Sequence, residues 1–444
     1  MSSRHVRQQQ LLVSSTTGAQ LHNPSEDGWV LLPSPALATF AAGACGVGGS
    51  FSTGATAGVA SLTATGGSVS TIITNQTLAR DLRGYHVHIL AGPNAGATLE
   101  IRSNTIGANA TITVDTQATA FSASTVYRLL TPTFFVFGGG TLAAGSFKRY
   151  DFATNTWVTL ANTGLPASFG TDGRMCSTPS WIDTGYKSFA TGTATAGGAN
   201  TLTNTARNWT TNQWTNSQIR IVSGAGAGQI RTIASNTATQ LTVSANWATN
   251  PDATSVYSIE GNDDFLYLMG NAAVALYRYS ISANTWTTLA PTAARAVAPN
   301  VALSASWVHS ATAAEWTNEN AIQNGRYFYS FRGGATAGLD RYDLALNTWA
   351  AITYAPAAET FTTGTKYCYL KDRIYITKEA TGRWFAFDVV ENAMQPWSTM
   401  LYPQGTAILG DTCWDVTYHD GTTEIDFIHM ALNTSTIVLR QMVI

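Results

Sequence analysis

The chain has 444 residues, 45% of them hydrophobic and only 11% charged, with a formal net charge of −2. Charge this sparse, against roughly 25% in an ordinary domain, excludes a helical bundle or a charge-rich disordered tail. The near-zero balance gives no global attraction to nucleic acid or to an anionic membrane, though it leaves room for a local basic patch.

The opening stretch MSSRHVRQQQLLVSS has no apolar segment of the signal-peptide kind, and no run of 18 apolar residues occurs anywhere. The chain is therefore expected to fold in a reducing cytoplasm without membrane insertion. Its four cysteines, Cys45, Cys176, Cys368 and Cys413, are too few and too far apart for a disulfide framework. What fills the chain is Thr, Ala, Asn, Ser and Gly, a composition that reads as all-β with many short turns.

One sentence is written three times along the chain. FKRYDFATNTWVTLA (147–161) returns as LYRYSISANTWTTLA (276–290) and LDRYDLALNTWAAIT (339–353). Each copy follows a hydrophobic strand: FFVFGGG, FLYLMGN and RYFYSFRGG. Tyr150, Tyr279 and Tyr342 end one strand, and Trp157, Trp286 and Trp349 stand seven residues later in the next. A looser fourth copy has Phe387 for the Tyr and Trp397 ten residues on. Near the N-terminus DGWVLLP places Trp29 as Trp157 is placed in NTWVTLA. Small-residue segments precede the repeats (AAGACGVGG, RMCSTPSW, VALSASW, KYCYL, DTCWD), and the cysteines in four of them read as buried small apolar groups.

Such repeats predict four-stranded antiparallel sheets, each with a Trp wedged against its neighbour and burying about 200 Å². Sheets that need neighbours on both sides close into a ring. The C-terminal strands TCWDVTYH, EIDFIHMAL and TIVLRQMVI lack a Trp-bearing fourth strand, which the Trp29 strand is expected to supply. The count is about five blades.

Two inserts, at 53–131 and 188–261, interrupt the first two repeats between the innermost strand and the next. They resemble each other: VHILAGPNAGATLEIRSNT (87–105) aligns without gaps on IRIVSGAGAGQIRTIASNT (219–237). Each predicts a module of about five short strands with glycine turns. The expected divisions are 1–52 with the closing strand and first inner strand, 53–131, a blade at 132–187, 188–261, and the remaining blades at 262–444.

The Gly-rich stretch, Tyr-Asp and Trp pattern resembles the Kelch motif, best at Gly138–Gly140, Tyr150-Asp151 and Trp157, and again at Gly333-Gly334, Tyr342-Asp343 and Trp349. The resemblance implies a Kelch-like β-propeller and says little about activity. The insert wording, TATAGGANTLTNTARNW and QIRIVSGAGAGQIRTIASNT, resembles small β-modules of virion proteins of tailed bacteriophages. A propeller carrying such modules is similar to tail nozzle or hub proteins of short-tailed phages. That resemblance implies a virion component assembled in the host cytoplasm, in a hexameric ring of copies, touching an adaptor or fibres and passing DNA. The alternatives are a host-glycan-binding adhesin and a capsid decoration protein.

Candidate chemistry is thin, and the expectation is no catalytic residue, metal or cofactor. His86 and His88 share one side of a strand, a spacing metals use, but pair with Gln218 and Arg220 in the second insert and read as solvent-facing. Glu260, Asp263, Asp264, Asp420 and Glu424 sit beside turn residues, and no sialidase Asp-box is present. GAGAG (224–228) lies between strands, with no helix to lend it an anion-binding dipole. Trp209, Trp214 and Trp247 are candidate partner or sugar contacts, unless they fill the core of the second module.

Overall fold

The computed structural model describes residues 5–6, 10–14, 18–23, 28–32, 45–51, 62–78, 81–82, 85–151, 156–169, 174–177, 190–260, 262, 264–269, 275–292, 304–305, 327–331, 338–344, 346–354, 360–361, 366–370, 373–378, 383–388, 392–399, 413–419, 424–431 and 438–443. Among them the chain is all-β, with no helix. Four sheets carry the repeats, each of four strands in chain order. The first comprises Cys45–Phe51, the second half of Val126–Phe137, Phe147–Asp151 and Thr156–Thr159. The second is Arg174–Ser177, Phe265–Met269, Leu276–Ser280 and Thr285–Leu289. The third is Ser304–Ala305, Tyr327–Phe331, Leu339–Asp343 and Thr348–Ile352, and the fourth Lys366–Leu370, Arg373–Lys378, Arg383–Asp388 and Ala393–Thr399. A fifth sheet joins His5–Val6 to Cys413–His419, Glu424–Ala431 and Val438–Val443.

One strand of each sheet lies beside one strand of the next in succession: 45–51 by 174–177, 174–177 by 304–305, 304–305 by 366–370, and 366–370 by 413–419. The sheets also pack face to face. Alternation along FLYLM shows how: Leu266 and Leu268 join Phe135, Phe137 and Phe147 of the first sheet, while Tyr267 and Met269 join Phe328 and Tyr342 of the third. A strand buried on both faces loses the polar half of its alternation, which is why FLYLM is apolar throughout. Cys45 and Cys176 are buried in these two cores as small apolar groups; the side chains of Cys368 and Cys413 lie outside the described residues.

Within each repeat the Tyr and Trp are cross-strand partners. Tyr150 faces Trp157, Tyr279 faces Trp286 and Tyr342 faces Trp349, with ring centroids 5.2, 5.0 and 5.1 Å apart. Trp286 and Trp349 are buried, and Trp286 packs on Phe147 of the preceding sheet. Asn is the third member of the unit. Asn284 and Asn347 hold φ of 53° and 50°, a left-handed conformation that few residues other than Gly and Asn adopt cheaply. Each Asn Oδ1 accepts a 2.6 Å bond from its repeat's Tyr hydroxyl. Each also reaches the tail of the previous repeat: Ala161 N donates to Asn284 Oδ1, and Asn347 Nδ2 donates to the Ala290 carbonyl. Trp286 Nε1 donates to the Ala161 carbonyl as well.

This unit corrects the fourth repeat. Asn392 has φ of 51°, and Phe387 faces Met394 across the strands, so Met394 takes the place of the Trp. Trp397 lies three residues further along Ala393–Thr399, and its side chain is outside the described residues. The closing strand is corrected too. Trp29 belongs to Gly28–Leu32, which pairs with Gly18–Asn23 in a separate three-stranded sheet with Gln10–Ser14. His5–Val6 joins the C-terminal sheet instead, and on the Cys413–His419 side. Short local hairpins cost little loop-closure entropy and therefore outcompete the distant pairing.

Both inserts curl into small barrels, of six strand positions rather than about five. In the second, the seven-stranded sheet has Ala190–Thr193 at one edge and Ala196–Gly197 at the other. Only residues 194 and 195 separate these edges, so the sheet must bend until they meet. In the first, the edges are Thr98–Glu100 and Ser103–Asn104, separated by residues 101 and 102, and Leu62–Gly67 bends to pair with Val126–Tyr127 at one end and with Thr71–Thr74 at the other. Ile230–Asn236 likewise bends between two partners in the second barrel. The glycine turns coincide as well. Gly92 and Gly224 have φ of 84° and 80°, and a Cβ there would fall 2.4 Å from the Ser124 carbonyl oxygen and 2.0 Å from that of Thr254.

The Asn unit is testable by urea unfolding. Asn284→Gly keeps the turn but loses the Tyr279 and Ala161 bonds, and is expected to cost about 1–3 kcal/mol. Asn284→Ala adds left-handed strain of about 1 kcal/mol. Unfolding midpoints equal to that of the unmodified protein would remove the unit from the account of the fold.

Candidate functional site

Four buried polar side chains lie where the two barrels meet. Strand Gln218–Ser223 of the second barrel lies against His86–Ala91 of the first. Ile219 and Ile221 point into their own barrel core, and Val87 and Ile89 into theirs. The alternate residues are buried as well: His88 and Arg128 from the first barrel, Arg220 and Ser258 from the second. His88 is therefore not solvent-facing; the second barrel covers the face it lies on. Arg220 Nη1 donates to the Leu90 carbonyl at 2.5 Å, and a Cβ on Gly228 would strike Val126 at 2.6 Å. His88 is the cross-strand partner of Arg128, and its Nδ1 lies 3.3 Å from the Ala97 carbonyl.

His86 lies two residues back, half-buried and facing Glu100 across the strands. Burial, aided by the charge of Arg102, lowers its pKa to about 4. Arg102 grips Asp115 through two bonds of 2.9 and 2.8 Å and meets Glu100 at 2.9 Å. The Asp115 bond, ahead of the other contributions, raises the guanidinium pKa further. The second barrel has Gln218, Thr232, Ala234 and Ser244 at the positions of His86, Glu100, Arg102 and Asp115.

Trp209, Trp214 and Trp247 are buried in the second barrel with Ile219, Ile221 and Tyr257, which corrects their reading as contact residues. A ring needs an open face to stack on a sugar, and these rings are occupied by their own core. Trp209 meets the edge of Tyr257 with centroids 6.4 Å apart, and Arg231 lies over Trp247 at 5.5 Å. The first barrel's core instead includes Leu78, Leu82, Tyr85 and Phe121.

Asp264 is a turn residue: it accepts bonds from the Ser280 hydroxyl at 2.7 Å and from the Ser282 amide at 2.8 Å. The side chains of Glu260, Asp263, Asp420 and Glu424 lie outside the described residues. Burial pushes the phenols of Tyr267, Tyr279 and Tyr342 well above their usual range, which keeps them as hydrogen-bond donors. No group of three or more metal-ligating side chains occurs among the described residues, and none of their helices could cross a membrane, since there are none.

Sequence reasoning passed over a set of arginines. Each repeat places an Arg just before its Tyr: Arg149, Arg278 and Arg341. Arg278 lies over the Phe265 ring at 4.3 Å and donates to Asn216 of the second barrel at 2.7 Å; Arg341 lies over Tyr327 at 4.2 Å. The recurring Arg-Tyr dipeptide was the available signal.

No protein-family model and no curated protein matches the chain. Among solved structures it is similar to a structural genomics protein of unknown function from Bacteroides thetaiotaomicron, at 9% identity over 90% of each chain with a TM-score of 0.27. A likeness that weak carries no argument about fold or role.

The depressed His86 pKa predicts a pH dependence with a definite sign. The unfolded chain takes up a proton near pH 6.5, the folded chain only near pH 4. Stability is therefore expected to fall as pH drops through that window. His86→Gln, which installs the second barrel's residue, should flatten this part of the stability-against-pH curve; an unchanged slope would contradict the assignment.

Proposed function

We propose that the protein is a non-catalytic structural component, with its sheets arranged as a Kelch-like propeller. Five four-stranded sheets are the blades of this reading. One observation carries the scaffold reading: the distinctive side chains are spent on holding repeats and modules together. Tyr279, Asn284 and Trp286 tie one repeat to the previous one, and Trp209, Trp214 and Trp247 fill a barrel. The succession of adjacent strands from 45–51 to 413–419 supports a radial arrangement.

The place we assign to this scaffold is the tail of a tailed bacteriophage, as a nozzle or hub subunit. Copies arranged in a ring, six in number, wall a conduit for DNA and dock on an adaptor or on fibres. The support is the resemblance of the repeated inserts to modules of virion proteins. Low charge suits hydrogen-bonded, hydrated contacts between subunits. A glycan-binding adhesin is weakened, because the tryptophans it would use are covered.

Gently disrupted particles test the assignment. The protein should stay with tails, in a multiple of six copies, and be seen at the tail axis in a particle reconstruction. Its presence on tailless capsids, or binding of the isolated protein to host polysaccharide, would overturn it in favour of decoration or adhesion.

A further inference from the structure

The two barrels are attached to their sheets in different ways. Strand Val126–Phe137 passes from the first barrel into the first sheet without a break, pairing with His86–Ala91 at one end and with Cys45–Phe51 at the other. A 12-residue strand paired along its length fixes that barrel to its sheet. The second barrel ends on Val256–Glu260, and the second sheet resumes on a separate strand, Phe265–Met269. Side chains add to this attachment, among them Arg278 of the second sheet on Asn216, Gln218 on Asn262, and Arg220 across the seam on the Leu90 carbonyl.

Relative strengths decide which of these contacts yields first. Each barrel core gathers thirteen buried apolar residues. The seam buries Arg128, Arg220, His88 and Ser258 together with Leu90 and Leu130. Desolvating two guanidinium groups offsets much of what their bonds return, so such a contact holds far less firmly than an apolar core. The barrels should part before either one unfolds.

We propose that the seam is a latch: Arg220 holds the second barrel against the first, and on release the second barrel swings while the first stays fixed to its sheet. Opening would uncover the face that carries His88, Leu90 and Arg128. The device does not depend on where the protein acts.

The test uses the full chain with nitroxide labels at two exposed positions, Ile106 on the first barrel and Thr211 on the second. Pulsed dipolar spectroscopy reads the distance between them. In Arg220→Ala the ratio of long to short distances should rise at least about tenfold, the lower bound set by loss of the charge-assisted bond to the Leu90 carbonyl. The near-ultraviolet signal of the buried tryptophans should stay unchanged. Arg220→His, which installs the first barrel's residue, gives the same test if the alanine variant fails to fold. One narrow distance that neither variant alters would overturn the latch. So would broadening that appears only together with loss of the tryptophan signal.

Discussion

A strand that is apolar on both faces cannot leave either face in water. Phe265–Met269 sends Leu266 and Leu268 one way and Tyr267 and Met269 the other, so the second sheet is stable only between two neighbours. Apolar packing is not directional, and by itself it would let neighbouring sheets slide. The Tyr–Asn–Trp unit supplies direction. Asn284 accepts from Tyr279 within its own repeat and from Ala161 of the previous one, and Trp286 bonds that same segment. The hydrogen bonds fix register while the rings fill volume, and Asn347 with Tyr342 and Ala290 repeats the arrangement one sheet on.

The parts of this that sequence could reveal are those encoded by fixed local spacing. Tyr and Trp seven residues apart are cross-strand partners, and three of the four pairs were legible for that reason. The fourth was not, because Trp397 has the expected chemistry at the wrong register. Register follows the left-handed turn at Asn392, which brings Met394 opposite Phe387. Trp29 misled in the same manner: its neighbours resemble an outer strand, yet the chain around it pairs locally. Among the inserts, the mutual likeness was visible, but the strand number was not, since Leu62–Gly67 and Ile230–Asn236 each bend to serve two partners.

The seam marks a different limit. Alternation in VHIL and IRIV distinguishes a core face from another face, and it cannot say what covers that other face. His88 and Arg220 look like solvent-facing residues until a second barrel is laid over them. Tertiary burial of this kind leaves one faint trace in sequence, which is long polar side chains at corresponding places in two homologous modules.

The two barrels also show which features a shared backbone requires and which it leaves free. Gly92 and Gly224 are both required, since any Cβ there would collide with the opposite carbonyl oxygen. Core fill is free to change: three tryptophans serve one barrel, while leucines, Tyr85 and Phe121 serve the other. The outer faces diverge most, with His86, Glu100, Arg102 and Asp115 replaced by uncharged residues in the second copy. If the barrels acted only as spacers, nothing would favour building a buried polar contact between them, because an apolar one would hold better. A polar seam makes sense where two bodies must meet in one defined orientation and yet remain separable. Arg220 and the Leu90 carbonyl contribute the direction, beside the small apolar contact of Leu90 and Leu130.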